Sequence, residues 1–242
     1  MPDGRIRAWV TLANVDRLSA RDLHALLTAL GSPEAILEAT PTLLQRHVPE
    51  SVAETIRRRS RDEHIEQTLA WSSETDNHLL TWDHADYPRS LLQIGEAPLL
   101  LYYKGRRELL NAPSLAIVGS RNASPSGIRT GEEFAATLAA AGLTIVSGLA
   151  LGIDAAAHRG GLRCGTGAST IAVIGTGIDR IYPPANRELA HQIATEGGIL
   201  SEFPLGTPPI APNFPRRNRL LSGLARGVLV VEAALDSGSL IT

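Results

Sequence analysis

The chain has 242 residues and a formal net charge of −2. This length can bury a large core, and the charge excludes binding of nucleic acid through a bulk positive field. A hydrophobic fraction of 43% and a charged fraction of 20% exclude wholesale disorder. The single cysteine, Cys164, excludes an internal disulfide framework and is typical of a reducing cytoplasm. With no signal pattern and no apolar run of about 18 residues, the sequence predicts a cytoplasmic protein without a membrane span.

The N-terminal third shows helical patterning. Leucines recur at helical spacing from Leu18 onward, and Gly31 follows them as a stop signal. Ser32 and Thr40, each followed by proline, are start signals for further helices. The pattern predicts a small all-α domain over residues 1–75.

Residues 76–97 are predicted to form an ordered linker, because the segment 82–88 is aromatic, acidic and bounded by proline. Its aromatic side chains are expected to join the two domains. From residue 98 to 242 short apolar runs alternate with helical stretches, which predicts an α/β fold with a mostly parallel sheet and helices on both faces. The predicted strands are 99–103, 115–118, 144–146, 170–174, 199–200 and 228–231. The predicted helices are 125–141, 153–160, 187–195 and 217–225.

Unusual residues follow several of these strands, where parallel sheets bind their ligands. Gly119-Ser120-Arg121 leads into a helix, an arrangement that presents backbone N–H groups and a guanidinium to an anion. The alternative is an ordinary turn with an exposed arginine. The turn from Ser147 through Gly148 to Gly152 also opens a helix. Here Asp154 either accepts a hydrogen bond from a sugar or base, or caps that helix, and His158 one turn later is expected to be structural.

A third turn, Gly175-Thr176-Gly177, resembles the start of a dinucleotide fingerprint. It lacks the third glycine, and Pro183-Pro184 prevents the helix that the pyrophosphate needs. We therefore reject a conventional NAD site. The interpretation that this glycine-rich turn approaches another phosphate stays open.

The segment Phe214 to Arg219 carries an aromatic ring and three arginines at a predicted helix start. Phe214 could stack on a base while the arginines bind phosphates. Alternatively, the ring anchors a loop and the arginines pair with acids such as Glu202 and Glu232. Glu232 itself could hold an arginine or be catalytic, and Ser237-Gly238-Ser239 is predicted to be another anion-binding turn.

Together these motifs resemble the signature of the DprA/Smf DNA-processing family. They occupy residues 119–121, 147–154, 175–186, 201–206, 214–219 and 230–240, and the resemblance extends from about Trp82 to Thr242. It implies an extended Rossmann-like domain preceded by a small SAM-like domain. It also implies binding of single-stranded DNA, homodimerisation, and loading of the RecA recombinase during natural transformation, without enzymatic activity, cofactor or metal.

The resemblance also assigns residues. Arg121 matches the family's phosphate-contacting arginine, and Arg187 stands where a basic residue commonly follows the Tyr-Pro-x-x-Asn motif that ends at Asn186. The family's sheet normally continues beyond Thr242, and many members add a winged-helix domain, so we expect a truncated domain. The candidate nucleic-acid-binding residues are Gly119, Ser120, Arg121, Ser147, Gly148, Gly152, Gly175, Gly177, Asn186, Arg187, Phe214, Arg216, Arg217, Asn218, Arg219, Ser237, Gly238 and Ser239.

The alternative function is a nucleotide-binding enzyme similar to the lysine-decarboxylase-like phosphoribohydrolases of nucleoside monophosphates. Those enzymes carry a Pro-Gly-Gly-x-Gly-Thr-x-x-Glu motif. The nearest segment here, 203–207, lacks both the paired glycines and the spaced acid.

Overall fold

The computed structural model describes residues 3–58, 62–165 and 169–233. The N-terminal region is helical, as predicted, and packs around Trp9, Leu23 and Ile56. Its helices are α1 (Asp3–Ala13), α2 (Ala20–Leu30), α3 (Pro33–Glu38), α4 (Pro41–Leu44), α5 (Glu50–Arg58) and α6 (Asp62–Ser72).

Side-chain caps set the starts of three of these helices. Ser19 and Asp22 form a reciprocal capping box at α2. The Ser32 and Thr40 side chains accept hydrogen bonds from backbone N–H groups of α3 and α4, whose first residues are prolines. The start signals at Ser32 and Thr40 are therefore confirmed.

The strands of the described residues form one mixed sheet in the order β1-β2-β6-β5-β4-β3-β7. The five from β6 to β7 are parallel, whereas β2 runs antiparallel to both β1 and β6. The mostly parallel sheet is thus confirmed. The strands are β1 (Asn77–Thr81), β2 (Leu100–Gly105), β3 (Ser114–Gly119), β4 (Thr144–Ser147), β5 (Thr170–Val173), β6 (Gly198–Ser201) and β7 (Val228–Val231).

Helices cover both faces of the sheet, as predicted. They are α7 (Pro125–Ala140), α8 (Ile153–Leu162), α9 (Arg187–Glu196) and α10 (Asn213–Leu224). Alternate strand residues point to opposite faces. Val118 and Val146 pack in the cluster that includes α10, whereas Ile117 and Ile145 pack with α7 and α8. No helix within the described ranges is long and apolar enough to cross a membrane.

The segment predicted as a linker contains regular structure. Residues 77–81 form β1 at the sheet edge, and a short 3-10 helix covers Arg89–Gln93. Tyr87 is fully buried and, like the Trp82 indole, donates a hydrogen bond to the Pro98 carbonyl, at 2.7 and 2.8 Å respectively. The short strand was missed because cross-strand pairing with β2 stabilises it, which its own sequence does not reveal. The boundaries of the domains stay a prediction.

Two aromatic residues connect the helical region to the rest of the chain. The Trp9 and Trp82 rings lie edge to face with centroids 6.2 Å apart. Such pairs stabilise by about 0.5–1.5 kcal/mol beyond the area that they bury.

Helix α10 begins four residues earlier than predicted, at Asn213 instead of Arg217. Pro215 is accommodated there because proline is tolerated in the first turn of a helix, where N–H groups have no intrahelical acceptor. The aromatic and basic motif therefore lies on the first two turns of α10.

Candidate nucleic-acid interface

The loops that follow β3, β4 and β5 meet the start of α10 at the edge of the sheet where the parallel strands have their carboxyl ends. The Asn213 side-chain amide donates to the Gly175 carbonyl at 3.1 Å, and the Ile153 N–H donates to the Ser120 carbonyl at 3.1 Å. These bonds join the third and fourth motifs, and the first and second. Sequence motifs that are far apart in the chain are thus brought together.

The exposed centre of this edge is a cluster of Arg121, Tyr182 and Phe214, called here the aromatic–arginine cluster. The Arg121 guanidinium carbon lies 5.8 Å from the Phe214 ring centroid. The Tyr182 and Phe214 centroids are 5.7 Å apart, and Tyr182 is 44% exposed. Arg121 is exposed and makes no ion pair with any residue in the described part of the chain. The cluster therefore offers aromatic surface and an available positive charge side by side.

The glycines of the third motif pack internally. A Cβ atom at Gly175 would lie 3.0 Å from the Phe214 ring. One at Gly177 would lie 2.6 Å from the Pro204 carbonyl oxygen. Both positions hold glycine because neighbouring atoms of the protein approach closely, and Gly175 makes room for the cluster's ring.

Arg217 is buried beneath the cluster, with 4% of its surface exposed. Its guanidinium donates to the Val173 carbonyl and packs so closely on Gly148 that a Cβ there would clash. Burial lowers the pKa of Arg217 to about 10, and the nearby Asp154 carboxylate opposes this shift, so the side chain stays charged at neutral pH. Arg217 thus stabilises the ends of β5 and β4 by contacts within the protein.

Asp154 is also buried, and it holds the loop after β4. Its carboxylate accepts hydrogen bonds from the N–H groups of Gly148 and Ala150 at 3.1 and 3.3 Å. Burial raises its pKa, and the Arg217 charge opposes that rise. The carboxylate does not cap α8, whose N-cap is Gly152 without a side-chain cap hydrogen bond. It instead fixes the loop that precedes this helix.

His158 and Asn186 fix the same loop. The Thr170 hydroxyl donates to the Ile145 carbonyl and so accepts from His158 Nδ1 at 2.7 Å, which leaves Nε2 to accept from the Leu149 N–H at 3.3 Å. Burial lowers the pKa of His158 to about 3, which keeps the ring neutral. The Asn186 amide donates to the Leu149 and Ala150 carbonyls at 2.9 and 3.1 Å.

Asn186 was a candidate for DNA contact, yet it is only 7% exposed and its amide is occupied by these two carbonyls. The next residue, Arg187, is exposed at the first position of α9 and makes no ion pair within the described ranges. Arg187 thus stands beside the loop after β4 with its charge available.

Arg216 and Arg219 both pair with Glu202, as the acid-pairing alternative proposed. Arg216 lies 3.3 Å from the Glu202 carboxylate and over the Phe203 ring, with 60% of its side chain exposed. Arg219 contacts the same carboxylate oxygen and donates to the Glu96 carbonyl at 2.7 Å. Asn218 lies half-buried between them on α10.

Glu232 pairs with no arginine of the described residues, which corrects one hypothesis for this residue. Its carboxylate accepts from the Ser124 N–H and the Ser124 hydroxyl, both at 2.7 Å, at the start of α7. These bonds lower the pKa of Glu232. The helix start that was predicted to receive an external anion therefore already faces a carboxylate of the protein.

The remaining candidate residues of the first two motifs also form hydrogen bonds or packing contacts within the protein. The Ser120 N–H donates to the Glu232 carbonyl at 2.9 Å, and the buried Ser147 hydroxyl donates to the Ile117 carbonyl at 2.6 Å. Gly119 packs against β7 and Ile153, and Gly152, at φ +75°, packs against the Ser120 carbonyl. Ser237, Gly238 and Ser239 lie outside the described residues.

Sequence reasoning missed three exposed apolar side chains at this edge. Tyr182, Leu151 and Ile210 are 44%, 44% and 48% exposed and lie in the loops after β5 and β4 and before α10. An aromatic residue in a strand-end loop was an available signal for Tyr182; exposure of the other two follows only from the fold. Within the described residues no group of three or more His, Cys, Asp or Glu side chains could hold a metal ion.

Comparison with known proteins gives a consistent picture. Residues 78–242 match the family described as DNA recombination-mediator protein A. Protein Smf of Escherichia coli K12 is 48% identical over 179 residues, which are 74% of this chain and 47% of that protein. The chain spans about half the length of the curated relatives that it matches first.

Two solved structures share the fold. DNA processing protein A (DprA) from Streptococcus pneumoniae superposes with a TM-score of 0.81 at 34% identity, covering 97% of this chain and 81% of that one. DNA processing protein A from Helicobacter pylori, whose structure concerns its single-stranded DNA binding mode, gives a TM-score of 0.62 at 34% identity, with coverages of 68% and 74%. The chain belongs to the DNA recombination-mediator protein A family, also known as DprA/Smf.

Proposed function

We propose that the chain binds single-stranded DNA at the aromatic–arginine cluster. The observation that carries this proposal is the exposed Arg121, which makes no ion pair with the residues that the structure describes and lies against the Phe214 ring, with the exposed Tyr182 next to the same ring. Single-strand binders stack bases on aromatic rings and hold phosphates with positive charges. The family membership and the ssDNA-binding relative from Helicobacter pylori support the same proposal.

The cluster favours a single strand over a duplex, because in a duplex the base faces are stacked on one another and are not available to a ring. Leu151 and Ile210 extend the apolar surface at the same edge. Arg121 and Arg187 supply the charges for phosphates. The net charge of −2 suggests a short footprint, which a homodimer would lengthen by joining two sites.

A binding role, without catalysis, accounts for the titratable groups at this edge. Asp154, His158 and Glu232 are engaged in hydrogen bonds within the protein. Glu202 pairs with two arginines through one carboxylate oxygen, and its other oxygen is buried away from solvent. A general acid or base needs a free position toward its substrate. We propose further that the bound strand is passed to the RecA recombinase in the cytoplasm during natural transformation, which the family's description as a recombination mediator supports.

The test is binding of labelled oligo-dT and of matched duplex over a salt series. Arg121→Ala should weaken binding of the single strand and reduce the salt slope by about 0.7, the value for one lost phosphate contact. Phe214→Leu should weaken it by about 5- to 150-fold through lost stacking. Arg226→Ala is the matched control, since Arg226 is exposed just before β7, at the opposite edge of the sheet. Equal affinity for duplex, or equal losses for Arg121→Ala and Arg226→Ala, would contradict the proposal.

A further inference from the structure

A second basic surface lies between the helical region and the sheet. A cavity of ≈ 900 Å³, called here the interdomain cleft, is bounded by residues 13–21 of the α1–α2 turn, residues 95–100 before and within β2, and the side chains of Glu202, Arg216 and Arg219. Its volume is at the upper end of the range of about 300–1,000 Å³ for ligand pockets. The cleft is therefore large enough for an extended ligand.

The helical wall of the cleft carries available positive charge. Arg17 and Arg21 are exposed and form no ion pair with the residues that the structure describes. Arg17 adopts a left-handed backbone conformation, with φ at +64°, which a non-glycine residue takes only at a cost. Guanidinium groups bind phosphates bidentately and are weakly hydrated, which suits them to a polyanion.

The opposite wall carries Arg216, whose side chain is 60% exposed although it shares Glu202 with Arg219. Asp16 and Glu96 are the other carboxylates that line the cleft. The lining thus holds four guanidinium groups against three carboxylates, and the buried Glu202 is already neutralised by two arginines. The charge that the lining of the cleft offers to a ligand is therefore positive.

Helix α10 contributes residues to both the cleft and the aromatic–arginine cluster. Phe214 and Arg216 are two residues apart and therefore point to opposite flanks of the first turn of this helix. One flank belongs to the cluster and the other to the cleft. A DNA strand that extends from the cluster across the start of α10 would lie between Arg216 and the arginines of the α1–α2 turn.

We infer that the interdomain cleft binds the sugar–phosphate backbone of the same DNA strand, next to the nucleotides held by the cluster. This inference rests on the proposed function and adds the helical region to the DNA footprint. Contacts in the cleft involve phosphates, so they are independent of base sequence and sensitive to salt.

The test compares oligo-dT of about 6 nucleotides, which covers the cluster alone, with oligo-dT of about 20 nucleotides, which also reaches the cleft. The Arg17→Ala/Arg21→Ala variant should bind the short strand like the wild type and the long strand about tenfold more weakly. Its salt slope for the long strand should fall by about 1.4, for two phosphate contacts. Arg46→Ala/Arg57→Ala removes the same charge from exposed positions elsewhere in the helical region and is the matched control.

A second variant tests the cleft without removing arginines. Asp16→Asn/Glu96→Gln removes two exposed carboxylates and should tighten binding of the long strand severalfold while leaving the short strand unchanged. If both double variants bind the long strand like the control, the cleft does not hold DNA and the inference is wrong. Failure of the wild type to bind either length would instead overturn the proposed function itself.

Discussion

Replacing Arg217 with methionine should destabilise the fold, even though Arg217 lies in the motif that the sequence assigned to DNA. The side chain is 4% exposed, donates to the Val173 carbonyl and lies close to the buried Asp154. Methionine keeps most of the length and apolar volume but removes the charge. Asp154 then retains only the N–H groups of Gly148 and Ala150 as partners.

The magnitude follows from the burial of both charges. Breaking a direct buried ion pair costs about 3–5 kcal/mol, because the other charge is left uncompensated. Arg217 and Asp154 interact through their charges without an ion-pair contact among the described residues, which places the expected loss at the lower end of that range. Two backbone donors remain on Asp154, so we expect a loss of about 3 kcal/mol. For a chain of this size, each kcal/mol lowers Tm by about 2–4 °C, which gives a decrease of roughly 6–12 °C.

Urea and thermal unfolding of Arg217→Met, Arg121→Ala and the wild type measure this loss. Arg121→Ala should lose less than about 1 kcal/mol, since its side chain is exposed and contacts one ring. Asp154→Asn added to Arg217→Met should restore part of the stability by removing the uncompensated charge. The reasoning is refuted if Arg217→Met unfolds at the wild-type urea midpoint, or if Asp154→Asn lowers its stability further.

Other residues give predictions that the same unfolding assays check. Asn186→Ala leaves two carbonyls of the loop after β4 without their donor and should cost about 1–3 kcal/mol; wild-type stability would contradict this role. The folded-state pKa of His158, about 3, lies below the value near 6.5 of unfolded histidine, so its contribution is complete above pH 6.5 and is lost as the pH falls toward 3, by up to about 1.4 kcal/mol per pH unit. His158→Gln should flatten the pH dependence in that window, and an unchanged slope would exclude this residue as its origin. Ser124→Ala removes the N-cap of α7 and should cost about 1 kcal/mol, whereas Ser126→Ala, at a neighbouring position that is not the cap, should cost less.

The sequence predicted the parallel sheet because its strands are buried on both sides and read as continuous apolar runs. It predicted the edge of the sheet where the motifs meet, because parallel strands end together and each of the motif turns follows a strand. It did not reveal β1, whose five residues depend on pairing with β2.

The sequence also did not separate buried from exposed arginines. Arg216, Arg217 and Arg219 lie within four residues, yet the 100° step of the helix turns Arg217 toward the sheet, on the same stripe as Leu220 and Leu224. Arg217, Leu220 and Leu224 all lie within the predicted helix 217–225, so that stripe was an available signal for the burial of Arg217. The glycines showed the same ambiguity, since close approach of a ligand and close approach of the protein itself both require glycine.

Photo-crosslinking tests the central claim most directly, since it reports which side chains touch the DNA. Oligo-dT carrying 5-iodouracil would be irradiated with the full chain, and the crosslinked peptides identified by mass spectrometry. We predict crosslinks at Phe214 and Tyr182 that are lost in competition with unlabelled oligo-dT. Crosslinks confined to the opposite edge of the sheet, around Arg107 and Arg226, would contradict the account.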